Sequence, residues 1–246
     1  MMRSRLYVAG LLFLSSVAAV AHAQSSGGDP LAGGLVSGDY LRITGGVSSP
    51  IKPQGSLRDW NSGSAIGLVW ENWQPGSGGV GLIGYGFGVD YARMPLNETN
   101  FLIDFQSPQG GHATAASGPS AQLFVVSTSL RVRIPSPLVA PSIALGLGFI
   151  NFRPSSVSYL APTGNGAAKQ QSRSGAALSV SGALDRQIVG RFGVYGEAQY
   201  SYGFTSLARL ATPGGNCSAN GCDVLKNTTI GTVRGGLRVR LGRGPA

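Results

Sequence analysis

Eight times between residues 39 and 241 the chain alternates bulky apolar residues with small, polar or charged ones, two residues to the period. No other feature constrains the fold as tightly, because a period of two belongs to a strand with two unlike faces. In "YLRITGGV", Leu41, Ile43 and Val47 share one face, and Arg42 and Thr44 share the other. In "SAIGLVWENW", Ile66, Leu68 and Trp70 alternate with Ala65, Gly67, Val69 and Glu71. The pattern returns over 80–93, 123–134, 140–152, 175–186, 192–204 and 228–241. The spacing predicts eight strands.

One segment invites a different reading. Residues 79–84, "GVGLIG", match G-x-G-x-x-G, and Asp104 lies downstream where a ribose-binding carboxylate is sought. That fingerprint requires a helix after the glycines. The next residues are "YGFGVDYARM", and here Ile83, Tyr85, Phe87, Val89 and Tyr91 oppose Gly84, Gly86, Gly88 and Asp90. Each glycine would cost a helix about 1 kcal/mol relative to alanine. The segment reads as a strand, and no nucleotide or other cofactor is expected.

The links between strands alternate in length. Long ones span roughly 48–62, 94–120, 153–174 and 205–227, whereas "QPGSGG", "PSPLVA" and "QIVGR" are short. Such alternation suits up-and-down strands that cross a bilayer, with short turns on one side and long loops on the other. The two faces agree. One carries Ile, Leu, Val, Phe and Tyr; the other carries Gly, Ala and Ser with a few charges. A soluble lipocalin-like barrel or sandwich buries its bulky face. A barrel in hydrocarbon exposes it, and closure removes the unpaired edges that lipid cannot satisfy. The expected fold is therefore all-β, an eight-stranded antiparallel up-and-down transmembrane β-barrel over 39–241. Trp70 and Phe192 near the short-turn ends, and Tyr91 and Tyr202 near the other, suit interfacial girdles.

Residues 1–23 carry Arg3 and Arg5, an apolar stretch and "AHA" before Gln24, the pattern of a cleaved export signal. Residues 24–38 read as a flexible lead-in and 242–246 as a short tail. Export to an oxidising compartment makes a small-loop disulfide between Cys217 and Cys222 the expected state. His22 and His112 are the two histidines, too few for a zinc site with this cysteine pair. The net charge is +9, or +7 once Arg3 and Arg5 are set aside. The arginines are dispersed and several fall on the inward face, so nucleic acid is not an expected partner. Lys52, Arg58, Lys169, Arg173, Arg209 and Lys226, in the long loops, are candidates to meet anionic lipopolysaccharide head groups.

With the export signal, the strand–loop rhythm, and segments such as "APSIALGLGFINF" and "FGVYGEAQYSYGF", the chain resembles the small eight-stranded outer-membrane β-barrels that include the OmpA-type transmembrane domain. Its last strand, "RGGLRVRL", resembles the ending that the family's assembly machinery recognises, with Arg234, Gly236, Val239 and Leu241 in the four places. It departs from that ending in lacking a terminal aromatic. No peptidoglycan-binding domain is expected, so an anchoring role that depends on one is not implied. The resemblance implies location in the outer membrane among its lipids and lipopolysaccharide.

Strand directions put Glu197 and Arg234 at mid-height on the inward faces of the last two strands. Glu71, Arg131, Arg133, Asp185, Arg238 and Arg240 gather toward the short-turn end. A charge left alone there is strongly disfavoured, so Glu197 is expected to pair with Arg234 or a nearby arginine. Two roles are open for this interior network: a polar core that fixes register, or an ion gate in a small pore. Some barrels of this size modify lipid A, but catalysis needs a base positioned against a nucleophile. His112, Ser117, Asp104 and Glu98 share one long loop of Gly, Ala and Ser, and no enzyme is expected. A structural envelope role and a surface-interaction role, through loops 94–120 and 205–227 with an unknown ligand, remain the two principal functions.

Overall fold

The computed structural model describes residues 37–51, 55–76, 81–104, 112–134, 136, 138–162, 164–168, 172–205 and 227–241. The expected signal, most of the expected lead-in, Cys217, Cys222, Lys52, Lys169, Arg209, Lys226 and the tail 242–246 lie outside the described residues.

Eight long strands form one closed barrel: β1 (Gly38–Pro50), β2 (Gly63–Pro75), β3 (Leu82–Met94), β5 (Ala121–Arg133), β6 (Ala140–Arg153), β9 (Arg173–Val189), β10 (Phe192–Gly203) and β11 (Thr228–Leu241). The intervening β4 (Ala115–Ser117), β7 (Val157–Leu160) and β8 (Gly166–Ala168) stand outside it. Each barrel strand pairs antiparallel with its neighbour along the chain, and β1 pairs with β11 from Asp39↔Leu241 to Pro50↔Ile230, which closes the ring. The segment after the "GVGLIG" glycines is β3, so the phosphate-binding helix does not exist there.

The connection between β9 and β10 is tight. β9 continues through Val189, farther than the sequence pattern indicates, and turns at Gly190, whose φ of 53° is left-handed and suits glycine. A register shift between Phe192 and Gly193 absorbs the difference.

The two faces separate as the period requires. Outside, Leu145 is 66%, Ile66 63% and Leu130 60% exposed, joined around the barrel by Leu68, Phe87, Ile143, Leu147, Val233 and Leu237. In water that band would forfeit the burial that drives folding, at about 1.5–3 kcal/mol per large side chain. In hydrocarbon it costs nothing. The strands run from 12 to 17 residues, beyond the roughly 9–11 that cross a bilayer, so they stand proud of it at one end.

That end carries a folded cap, where the sequence pattern indicates plain loops. β4, β7 and β8 form a three-stranded sheet in the order β4-β7-β8. A 3-10 turn at Gly55–Asp59 and a helix, Glu98–Asp104, lie beside it. Asn97 caps the helix, its side-chain oxygen accepting from the Asn100 amide at 3.2 Å. The Asn100 side chain donates to the Arg58 carbonyl at 2.8 Å, and the Ala116 amide donates to Glu98 Oε1 at 3.2 Å. Leu57, Trp60, Phe101, Val157 and Tyr159 from the cap share one apolar cluster with Met94, Leu123, Ile150, Phe152 and Ile230 from the upper lumen. Trp60 meets Phe152 edge-to-face at 6.5 Å.

Candidate functional site

Below that apolar plug the lumen is ionic. Glu71 (β2), Asp90 (β3), Arg131 and Arg133 (β5), Asp185 (β9), Glu197 (β10), and Arg234 and Arg238 (β11) all point inward, as does Arg42 (β1). Narrowness makes these groups meet: eight strands enclose a space that side chains alone can fill.

Arg42 is the centre. Its Nε lies 2.9 Å from Glu71 Oε2, its Nη2 3.2 Å from Asp185 Oδ2 and its Nη1 3.4 Å from Glu197 Oε2. Three strands are thus tied to a fourth through one guanidinium. Arg131 bridges Glu71 at 3.0 Å and Glu197 at 2.8 Å. Asp185 also accepts from Arg133 at 3.1 Å and from Arg238 at 3.3 Å. Arg234 reaches Glu197 at 3.5 Å and pairs with Asp90. Arg42 faces Arg238 directly across the β1–β11 pair, an arrangement disfavoured for like charges. Asp185 offsets it by accepting from both, with both oxygens within reach of Arg42 Nη2 and Oδ1 also accepting from Arg238.

Aromatic rings complete the packing. Arg133 lies over Trp73 at 3.7 Å, Arg42 over Tyr195 at 4.4 Å and Arg238 over Tyr40 at 4.7 Å. The Trp73 indole also donates to Glu71 Oε2 at 3.1 Å. Its ring fits because Gly84 lies opposite: a Cβ there would sit 2.7 Å from the indole. The inward glycine in "GLIGYGFG" therefore makes room for the tryptophan in "VWENWQ".

Between plug and network lies a cavity of about 20 Å³, lined in part by Thr44, Ser48, Asp90, Gln199, Thr232 and Arg234. It has room for about one water molecule. The described lumen is thus filled by ion pairs below and apolar side chains above.

The sequence-derived interior residues Glu71, Arg131, Arg133, Asp185, Glu197, Arg234 and Arg238 come together in this single network. Arg240 stands apart, donating to the Ser37 carbonyl at 2.9 Å. Sequence reasoning places Arg42 and Asp90 on the inward faces but does not put them in the network; their parity is the available signal. Arg173, expected in a solvent-facing loop, instead begins β9 and is buried. Of the proposed assembly positions, Arg234 and Gly236 face inward, Gly236 close against the Ile43 carbonyl, while Val239 and Leu241 face out. His112 and Ser117 are exposed, and Glu98 is engaged with the Ala116 amide.

An eight-stranded up-and-down barrel with an apolar skin and an ionic lumen has the architecture of a transmembrane β-barrel. In fold the chain is similar to the small outer-membrane barrels. A major outer membrane protein from Thermus thermophilus is 15% identical, with a TM-score of 0.47, and the match covers 82% of this chain and 99% of that one. Neisserial surface protein A is 14% identical with a TM-score of 0.43, covering 83% and 98%. The outer membrane protein OprG from Pseudomonas aeruginosa is 11% identical with a TM-score of 0.40, covering 85% and 99%. Likeness at this level transfers no function. No protein-family model matches the sequence, and no curated protein matches it.

Proposed function

We propose that the protein is an integral outer-membrane barrel that does not conduct: a sealed cylinder that holds a folded cap at the cell surface for structural or surface-interaction duty. The observation that carries this is the filled lumen. Buried, paired charges from Arg42 on β1 to Arg238 on β11 occupy its lower half, and the plug of Phe152, Ile150 and Leu123 occupies its upper half. Rearranging one ion pair would leave the plug in place, which disfavours the small-pore reading. The exposed apolar band supports membrane residence, and the long connections at one end support an outward-facing cap. No catalytic role, cofactor or metal is part of this reading; lipopolysaccharide and the outer-membrane assembly machinery are its partners.

Four measurements test it. The folded chain should fractionate with outer membranes and migrate differently on gels before and after boiling. Protease added to intact cells should cut within the long connections alone. The refolded protein in planar bilayers should give no discrete conductance steps, and Glu197→Ala should leave that silence unchanged. Recovery of detergent-free monomer from the periplasm would sink the membrane assignment, and steady single-channel steps from wild type would sink the sealed-lumen assignment.

A further inference from the structure

We propose that Arg93 and Arg153 form a binding site for the phosphate of an acylated lipid head group, on the outer face of the barrel at its long-connection rim. The inference rests on the outward orientation of the cap given above.

The register places the site. Arg93 of β3 pairs with Gln122 of β5, and Gln122 pairs with Arg153 of β6. All three alternate with inward residues, share the outer face and are exposed. Two strand spacings separate the arginines, about 10 Å, so a single phosphorylated head group can engage both. One step toward the middle of the barrel, in the same register, lie Tyr91, Phe124 and Asn151. A lipid whose phosphate sits on the arginines would lay its chains over Tyr91 and Phe124.

Among the described residues the charges have no competing use. Arg153 spends its Nε on Asn151 Oδ1 at 2.8 Å, which holds the side chain along the barrel wall with its Nη groups free to act. Asn151 is fixed in turn by Ser174 Oγ at 2.6 Å. Arg93 forms no ion pair with any described residue. Among the described strand residues the outer face holds one carboxylate, Asp39, at the opposite end. Two aligned cations over an aromatic shelf, with no acid near them on that face, are complementary to a phosphorylated amphiphile and to little else at a membrane surface.

The test uses the refolded full-length protein in neutral detergent, with bisphosphorylated hexa-acyl lipid A as probe. The same lipid lacking phosphate, and inorganic phosphate as competitor, complete the set. Loss of two charge-assisted contacts in Arg93→Gln/Arg153→Gln should weaken lipid A binding about tenfold or more. Arg93→Lys/Arg153→Lys should keep most of it, and Arg186→Gln, an exposed outer-face arginine near the short-turn end, should have no effect. Wild type should prefer the phosphorylated lipid over its dephosphorylated form. Equal binding of the two lipids would overturn the proposal, and so would an equal loss in Arg186→Gln. Displacement by millimolar inorganic phosphate would make the site one for free anions and overturn it too. Should the glutamine variant fail to show heat-modifiable migration, the comparison of the two lipids on wild type still decides. If protease shaving puts the long connections on the periplasmic side, the orientation fails independently of any binding result.

Discussion

Removing one charge from the lumen should hurt most at Asp185, not at the central Arg42. The described network holds five guanidinium groups (Arg42, Arg131, Arg133, Arg234, Arg238) against four carboxylates (Glu71, Asp90, Asp185, Glu197), an excess of one positive charge. Arg42→Met brings that to balance, and every carboxylate keeps a partner. Glu71 keeps Arg131 at 3.0 Å, Asp185 keeps Arg133 at 3.1 Å, and Glu197 keeps Arg131 at 2.8 Å. The expected cost is the net worth of a few hydrogen bonds to charged groups, about 1–3 kcal/mol.

Asp185→Asn, although nearly isosteric, raises the excess to two. It also takes away the carboxylate that Arg133 and Arg238 share, and both side chains are fully buried. Stranding a buried charge costs about 3–5 kcal/mol, only partly relieved here by Trp73 and Tyr40 beneath the two guanidiniums. Urea unfolding of protein refolded into lipid vesicles, followed by tryptophan fluorescence and by gel migration, measures both variants against wild type. High salt should narrow the difference little, because the pairs are shielded from solvent. If Asp185→Asn proves no more damaging than Arg42→Met, partner counting is the wrong account of this core.

Three further outcomes come from the packing. Gly84→Ala drives a methyl to 2.7 Å from the Trp73 ring and should cost about 1–3 kcal/mol in the same unfolding assay, with a change in tryptophan fluorescence. Leu145→Arg, in the middle of the exposed apolar band, should cost about 2–4 kcal/mol in vesicles; no loss would argue against burial of that band in lipid. Trp60→Ala, at a cost of about 3–5 kcal/mol, should loosen the cap. Protease should then cut within 95–120 sooner, while the barrel still migrates as folded before boiling.

How much of this fold is legible in the sequence depends on the length of each signal. Strands such as Leu82–Met94 repeat their alternation six or more times, and the identity of each face survives any local exception. The cap offers no such repetition. Its helix spans seven residues, and its strands three or four. They are held by distant partners, such as Asn100 on the Arg58 carbonyl, that no local window contains. The inward charges fall between these cases. Parity gives their face, but pairing depends on which strands meet when the ring closes. Arg42 of the first strand touches Asp185 and Glu197 of strands far along the chain.

The choice of arginine for every cation in this core has a geometric reason. An ammonium is a single point of charge, whereas a guanidinium presents five donors in a plane and an apolar face above and below. Arg42 uses its edge for Glu71, Asp185 and Glu197 and its face for Tyr195. Arg133 divides its edge and face between Asp185 and Trp73. Through such contacts β1, β2, β3, β5, β9, β10 and β11 are joined inside a ring that lipid can only grip by shape. Of the barrel strands β6 alone sends no charge into this network; its inward Ala140, Ser142, Ala144 and Gly146 supply volume instead. The register of a strand whose outer face slides freely against hydrocarbon has to be specified from within, since a one-residue slip would bring the charges out into lipid. On the proposed reading the ionic core is first a register device, and a lumen closed to ions follows from the same crowding.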